Sequence, residues 1–541
     1  MSDASADFII VGGGVTGALL ADRLSRAGHS VIVLEAGSPV DREVAARTYA
    51  TSSTRTLSSP YIDEHFSFAP FPDKADDYGP GTKFKSTYLR RLGGSTWHWQ
   101  GHTPRFLPGD FMLHSLYGVG VDWPLRYDDI EEWYCQAEEE LGVSGDHEAW
   151  QGFFGARRSR PFPMTAIWPS HADGMMSELV SGLVVDGQEL RVRPIPQARN
   201  SRPYQSRPPC AGNSTCIPLC PIGAKYDASV HLRRAQERGA RVIPLMQAVK
   251  LVIDGRRVSE VVARDGTTQP PELATFKGKY VVVCAHAIET VRLLVASGYA
   301  DSSGQLGRNL MDHPTGQMVA LAPWPVWPFR GPPATSGIDD LRDGAFRSTR
   351  AAFKMSLGND GWGRFQSPEQ IVAGRWIQRG GFGSSLRKQI EDEGARLYRI
   401  SWAAEQLPFA ENRLVESGEC DELGIPKLRI EYSVSAYSTG AFPVARHTIR
   451  RVFERAGMTD IATESDPLKY GGSGHILGTY RMASDAASGV VDSFGRAFST
   501  ENLFLLGSGT FPTVGTANPT LTIAALALRT AKHLGGASNV D

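Results

Sequence analysis

The chain opens on a short unbroken apolar run, Asp7-Phe8-Ile9-Ile10-Val11, which stops at Gly12-Gly13-Gly14-Val15-Thr16-Gly17. Over residues 18–28 the apolar positions change period, and Leu19, Leu20 and Leu24 fall on one helical face. A second apolar run, residues 30–34, closes on Glu35. Runs too short to be helices, on either side of an amphipathic stretch, predict strand, glycine turn, helix, strand. The same grammar returns later in the chain. Residues 280–285 read as a buried strand followed by a helix over 288–297, and residues 502–506 as another strand, with a loop (512–518) and a helix (519–534) after it. Helices are also expected over 130–141 and 229–240, the first with Asp128 or Asp129 as N-cap and Gly142 as its stop. Residues 241–244 and 248–253 read as strands, with a turn at Asp254-Gly255. Between 315 and 466 the pattern differs: alternating segments such as 428–432 and helices such as 440–456 predict an antiparallel sheet backed by helices.

The division that follows is α/β with a second, α+β unit. Residues 1–314 form mainly the nucleotide-binding part with a loop-rich insert, 315–466 a substrate domain, and 467–541 a return to the first part. Stretches 38–90 and 149–221 are polar and proline-rich and are expected as loops, the first with Tyr61, Phe66, Phe68 and Phe71 covering something beneath. The 57 basic and 58 acidic residues nearly cancel, so charge recommends neither nucleic acid nor an anionic membrane as partner. No run of eighteen apolar residues occurs, and six residues before the first strand leave no room for a signal peptide. Export would then need a carrier.

The first forty residues carry the clearest chemistry. In a strand–turn–helix–strand context, Gly12 permits the tight turn, Gly14 lets backbone approach a pyrophosphate, and Gly17 lets helix and strand close together. The helix N-terminus favours the phosphates, and Glu35 suits ribose hydroxyls while repelling a 2′-phosphate. This pattern reads as an FAD or NAD site. A second glycine pair, Gly93-Gly94, precedes Ser95-Thr96-Trp97-His98-Trp99 and suits close approach to a planar ligand; His98 reads either as a cofactor contact or as a packed histidine. Six cysteines are too few for a disulfide framework in this length, yet Cys210, Cys216 and Cys220 are bunched among glycines and prolines. Three thiolates with no fourth ligand nearby fit an iron–sulfur cluster lacking one iron better than zinc; structural thiols are the alternative. Near the C-terminus, His475 lies among small residues and reads as catalyst or core histidine, while Asn518 could simply cap the last helix. The turn 307–314 has no role that composition can fix.

Together these residues resemble the glucose–methanol–choline (GMC) family of FAD-dependent oxidoreductases, nearly end to end. The matching motifs are Gly12, Gly14, Gly17 and Glu35, then Gly93-Gly94-Ser95-Thr96, then His475 followed by Asn518-Pro519-Thr520-Leu521-Thr522. The resemblance implies a Rossmann-like FAD-binding domain with a discontinuous substrate domain, and FAD contacts at Gly93, Gly94, Thr96, His98, Trp99, Gly507, Ser508, Pro519 and Thr520. A narrower likeness runs through Gly93 to Trp99, Gln197-Ala198-Arg199-Asn200-Ser201-Arg202-Pro203-Tyr204 and Cys216-Ile217-Pro218-Leu219-Cys220-Pro221-Ile222-Gly223-Ala224. It is similar to the catalytic subunits of bacterial membrane-associated sugar dehydrogenases. That subgroup implies a three-iron four-sulfur (3Fe-4S) cluster on Cys210, Cys216 and Cys220; where it often has a second cysteine after the first, this chain has Ala211. It also implies a multihaem cytochrome c partner and a small subunit with a twin-arginine signal. Both would place the chain at the periplasmic face of the inner membrane. In the related pyranose oxidases the histidine matching His98 carries the flavin covalently, which makes that link one option here.

The implied reaction removes a proton from a sugar hydroxyl and a hydride from its carbon. His475 is expected as the base and Asn518 as the donor that orients the substrate oxygen. Glucose oxidised at C1 is the expected substrate, with a glycoside oxidised at C3, fructose, sorbitol or gluconate as alternatives. An oxygen-using oxidase in the cytoplasm, without a cluster, and a non-enzymatic flavoprotein are the other classes.

Overall fold

The computed structural model describes residues 4–53, 56, 59–60, 84, 88–268, 270–363, 367–421, 424–463 and 472–537. Its first sheet is built on the opening apolar run. The strand Ala4–Val11 pairs in parallel with Val31–Leu34 on one side and Glu272–Val283 on the other, placing Phe8 opposite both Val31 and Tyr280. Arg241–Ile243 extends the sheet beyond Val31–Leu34, and Leu503–Leu505 joins the far side at residues 281–283, both in parallel. Phe8, Ile9, Ile10 and Val11 are all buried, because helices cover a parallel sheet on both faces. The helix Val15–Arg26 packs against Ser229–Glu237 and against Thr520–Ala537.

The strand Glu272–Val283 is longer than its sequence expectation, 280–285. Its first half pairs antiparallel with Arg257–Asp265, itself hairpinned to Met246–Asp254, and alternates exposed with buried positions. Only its apolar end, covered on both faces, carries a continuous hydrophobic signal. Three loop and strand expectations change, and one of them is the helix His171–Val180 inside the stretch 149–221 read as loop. Residues 42–51, inside a stretch read as loop, form a helix whose N-cap Asp41 accepts from Val44 N at 3.0 Å. Tyr61, Phe66, Phe68 and Phe71 lie outside the described residues. Residues 428–432 do not join the substrate sheet: Pro426–Glu431 pairs with Arg413–Cys420 as a separate ribbon. Leu428, Ile430 and Tyr432 of that region belong to the nucleotide-side core.

The second sheet has six antiparallel strands in the order Thr459–Thr463, Thr315–Leu321, Leu397–Ala404, Phe353–Gly358, Ser336–Ile338, Val192–Pro194. Val192–Pro194 comes from the insert, so the chain enters this sheet before residue 315. Phe353, Met355, Ile400 and Trp402 share a core with Phe442, Ala445 and Ile449 of the helix Ala441–Arg455. Side chains alternate across a strand, so Lys354, Ser356, Arg399 and Ser401 face the other way. That second face looks onto the nucleotide-binding part.

Candidate active site

A cavity of about 760 Å³ runs between the two parts, with Gly12, Gly14 and Glu35 among its lining residues as well as His475 and Asn518. Each fingerprint glycine has a distinct steric reason. A Cβ on Gly17 would stand 2.0 Å from Gly12 O, so only glycine lets the first helix lie against the first turn. Gly12 has φ +104° and a would-be Cβ 2.6 Å from Cys284 O. A Cβ on Gly14 would meet no protein atom within 4 Å, and the residue lines the cavity, so the space beside it at the helix N-terminus is open to a pyrophosphate. Glu35 accepts from Gly13 N and Gly37 N, each at 2.7 Å. Two carboxylate oxygens offer about four acceptor directions, which leaves capacity for ribose hydroxyls. Burial pushes the Glu35 carboxyl up to about 7, against the pull of those two N–H groups.

The second glycine pair folds directly onto the first. Gly93 N donates to Gly13 O at 3.0 Å, and a Cβ on Gly94 would lie 3.1 Å from Gly14 Cα. Thr96 Oγ1 donates to Gly93 O at 2.5 Å and accepts from Ala228 N at 2.9 Å, which fixes this turn against the helix that follows Ala228. His98, Trp99, Gly507, Ser508, Pro519 and Thr520 line the same cavity. Burial, then Lys225, pushes the His98 imidazole down to about 4, so it is neutral at pH 7. All the expected cofactor-facing residues except Gly17 and Gly93 therefore line one cleft, and those two glycines pack behind it.

His475 and Asn518 also meet there. Asn518 Nδ2 lies 3.2 Å from His475 Nε2, and Asn518 Oδ1 accepts from Lys354 Nζ. The Asn518 side chain is thus committed to the cavity rather than to capping its helix. Behind the imidazole, His475 Nδ1 stands 2.9 Å from His313 Nδ1. The Gly515 carbonyl favours a proton on the His313 ring. With His313 Nδ1 accepting from His475 Nδ1–H, His475 Nε2 turns its lone pair toward the Asn518 NH2 and the cavity. Burial, then the Lys354 charge, pushes His475 down to about 3, which keeps it unprotonated before substrate arrives. Asp312 pins the arrangement: Oδ1 accepts from His313 N at 2.6 Å and His475 N at 2.9 Å, and Oδ2 from Gly474 N at 3.0 Å.

Sequence reasoning missed four of these parts: Asp312, His313, Lys354 and the polar sheet face. Asp312 and His313 lie in the turn 307–314, for which composition offered no role. The face includes Thr315 and Gln317 of one strand, Lys354 and Ser356 of the next, and Arg399 and Ser401 between them. Ser401 is opposite both Gln317 and Ser356, so three short polar side chains form one row across the sheet. Their period-two alternation with Phe353, Met355, Ile400 and Trp402 was the available signal.

Asp312, His313 and His475 also form a group of metal-ligand types within 4.8 Å, as do Asp22, Glu140 and His231. Hydrogen bonds account for the first group, and ion pairs of Arg23, Arg234 and Arg238 with Glu140 and Asp22 for the second. No such group among the described residues includes Cys210, Cys216 and Cys220, so their sulfurs do not converge as they would on a single ion. They are free thiols, two buried and Cys210 half-buried, and burial, then the neighbouring Cys220 and Cys210, pushes the Cys216 thiol up against Arg199 and Lys225, which pull it down. Lys225 Nζ donates to Cys216 O at 2.8 Å and also to Trp97 O at 2.8 Å and Trp99 O at 2.6 Å. Ile217, next to Cys216, lines the cavity.

A dinucleotide cradle facing an imidazole–amide pair defines an oxidoreductase acting on a CH–OH group. The comparisons agree. GMC oxidoreductase family models match residues 185–315 and 408–527. The chain is 35% identical over 547 residues to the fructose dehydrogenase large subunit of Gluconobacter japonicus, covering 97% of each protein. It is 28% identical to the 6'''-hydroxyparomomycin C oxidase of Streptomyces lividus, over 98% of this chain and 92% of that one. Among solved structures, pyridoxine 4-oxidase from Mesorbium loti superposes with a TM-score of 0.64 at 19% identity, covering 97% of this chain and 98% of the other. The chain belongs to the GMC oxidoreductase family, and it is an FAD-dependent enzyme.

Proposed function

We propose that the protein oxidises a hydroxyl of a sugar as the catalytic subunit of an electron-relaying dehydrogenase, with a glucose-like aldose as the first substrate to test. The observation that carries this reading is the His475–Asn518 pair at 3.2 Å, facing a polar sheet face within the cavity that holds the nucleotide fingerprint. A row of hydroxyl, amide and cationic side chains suits a substrate with several hydroxyl groups. The relatives named fructose dehydrogenase and gluconate 2-dehydrogenase favour the same class, so fructose and gluconate belong in the screen.

In this reading His475 Nε2 takes the hydroxyl proton while Asn518 Nδ2 donates to the same oxygen and holds it in place. Bound FAD supplies the hydride acceptor. Burial, then the Lys354 charge, keeps the imidazole neutral. Cys210, Cys216 and Cys220 are the residues that would hold a 3Fe-4S cluster, which would supply a one-electron relay. Two observations support that fit. Arg199 and Lys225 are buried beside these thiols, and among the described residues neither forms an ion pair with a carboxylate. An anionic iron–thiolate group would supply the missing countercharge. The Cys216 segment also borders the flavin cavity through Ile217. The partners proposed with it are a multihaem cytochrome c subunit and a small twin-arginine-signal subunit, with the assembly at the periplasmic face of the inner membrane.

The test is anaerobic purification followed by visible and electron paramagnetic resonance spectra with iron and sulfide assays. A three-iron signal that vanishes in Cys216→Ser, with sugar-dependent reduction of artificial acceptors, supports the reading. Flavin bands without iron, together with oxygen consumption on sugars, would replace it with a cytoplasmic oxidase.

A further inference from the structure

We propose that Lys354 is a positioning residue of the reaction: it locks the Asn518 amide with its NH2 toward the reacting oxygen and places a positive charge beside that oxygen as its proton leaves. Lys354 sits on the strand Phe353–Gly358, between Phe353 and Met355, which point into the opposite core. Its side chain therefore has to enter the cavity, and Nζ donates to Asn518 Oδ1 across the boundary between the two parts.

The need for such a lock follows from the shape of an amide. Oxygen and NH2 of Asn518 are nearly equal in size, and a half-turn of the side chain exchanges them. One orientation offers a donor to the substrate oxygen. The other turns a lone pair toward both that oxygen and His475 Nε2, where acceptor faces acceptor. An ammonium group can only donate, so Lys354 selects the first orientation.

The charge itself is placed unusually for a structural lysine. Lys354 is buried, and among the described residues no carboxylate lies within ion-pair distance of it. The charged or titratable groups that act on it or that its charge reaches are Asp339 and Arg342 after the strand Ser336–Ile338, together with His313 and His475. Asp339 lies 3.6 Å from Arg342, which offsets its charge. Burial first, then Arg342 against the opposing pull of Asp339, brings the ammonium down to about 7. A buried cation lacking its own anion suits a site where negative charge develops on a substrate oxygen. The proton of that hydroxyl goes to His475 Nε2, and bound FAD would accept the hydride that carries the C–H electron pair as the C=O bond forms.

The inference rests on His475 and Asn518 being the catalytic pair. A His475→Ala enzyme that turned over at the native rate would remove that basis whatever Lys354 does. With that established, FAD-loaded Lys354→Met and Lys354→Arg are compared with the native enzyme in kcat, KM and pH profile. The methionine variant is expected to lose about 10²-fold in kcat, as for removal of one oxyanion donor, with KM changed far less. Arginine supplies donor and charge and is expected to recover part of that loss. The native enzyme should lose kcat as pH rises and Lys354 deprotonates, whereas the arginine variant should carry that alkaline limb to higher pH or lose it. A methionine variant at native kcat, or an arginine variant with an unmoved alkaline limb, would overturn the proposal. If the methionine variant fails to hold flavin, the limb of the arginine variant alone decides.

Discussion

Asp312→Asn tests whether the backbone pins of the catalytic histidine matter. The native carboxyl accepts three backbone N–H groups at 2.6, 2.9 and 3.0 Å, from His313, His475 and Gly474. Hydrogen bonds to a charged acceptor contribute about 1.5–3 kcal/mol each. Asparagine keeps one oxygen, which can still serve His313 N and His475 N at about half that strength. Its NH2 then faces Gly474 N–H, donor against donor, and the unsatisfied buried group costs about 1–3 kcal/mol. Half of two such bonds together with the unsatisfied group comes to about 2.5–6 kcal/mol, enough to drive the 473–475 loop to a new position rather than bear the clash. A displacement of His475 by about 1 Å is worth about 10²-fold in rate. The measurement is anaerobic stopped-flow reduction of the bound flavin by substrate, at matched flavin content. A variant within about threefold of the native rate would show that Asp312 does not align the base, since misplacement of the reacting groups costs far more than that.

The remaining predictions concern the base, the cradle and the cysteine loop. His475 accepts a proton only when neutral, so activity survives above its pKa and falls below it. Because burial and Lys354 lower that pKa to about 3, the acidic limb of kcat/KM should lie well below the ordinary histidine value of about 6.5, and a limb at that ordinary value would contradict the burial account. Gly17→Ala places a Cβ 2.0 Å from Gly12 O and should purify without flavin, whereas Gly174→Ala, with no neighbour within 4 Å, should retain it; flavin absorbance per chain reads both. Lys225→Met removes a positive charge beside Cys216 and should lower the iron content or make the reduction potential of any remaining cluster more negative, since reduction adds negative charge. Unchanged iron and potential would leave Lys225 a purely structural tie.

What the sequence disclosed and what it hid divide along physical lines. The fingerprint was legible because Gly12 and Gly17 each meet a backbone constraint and Gly14 leaves open space at the helix N-terminus, all within one strand–turn–helix unit, and such requirements show as residue type at fixed spacing. The parallel strands were legible only where both faces are covered. The front of Glu272–Val283 alternates and was overlooked. Leu428 and Ile430 carried a correct strand signal but a wrong address, since alternation says that one face is buried and not against which core. His475 and Asn518 gained meaning only through family resemblance, because nothing local distinguishes a catalytic imidazole from a packed one. Asp312, His313 and Lys354 were invisible for a further reason: their partners lie 162 to 164 positions away.

That separation also explains how the site can be both rigid and open. His475 follows the substrate sheet in the chain, Asn518 precedes the last helix of the nucleotide-binding part, and Lys354 stands in the middle of the substrate sheet. Lys354 is held by its strand, whereas His475 and Asn518 lie in loop segments, the first tied down by Asp312 and His313 and the second two residues before the helix Thr520–Ala537. The Lys354–Asn518 hydrogen bond is the one of these contacts that crosses from sheet to helix. A small change in how the two parts sit would reach the amide first, turning Asn518 before it moved His475, whose ring is anchored from behind by His313 and whose backbone is anchored by Asp312. Substrate hydroxyls that bridge the sheet row Gln317–Ser401–Ser356 to the amide would therefore stiffen the same junction that Lys354 spans. Binding energy from hydroxyls remote from the reacting carbon would then appear in kcat as well as in KM, and a deoxy-sugar series, each member lacking one hydroxyl, would separate the two.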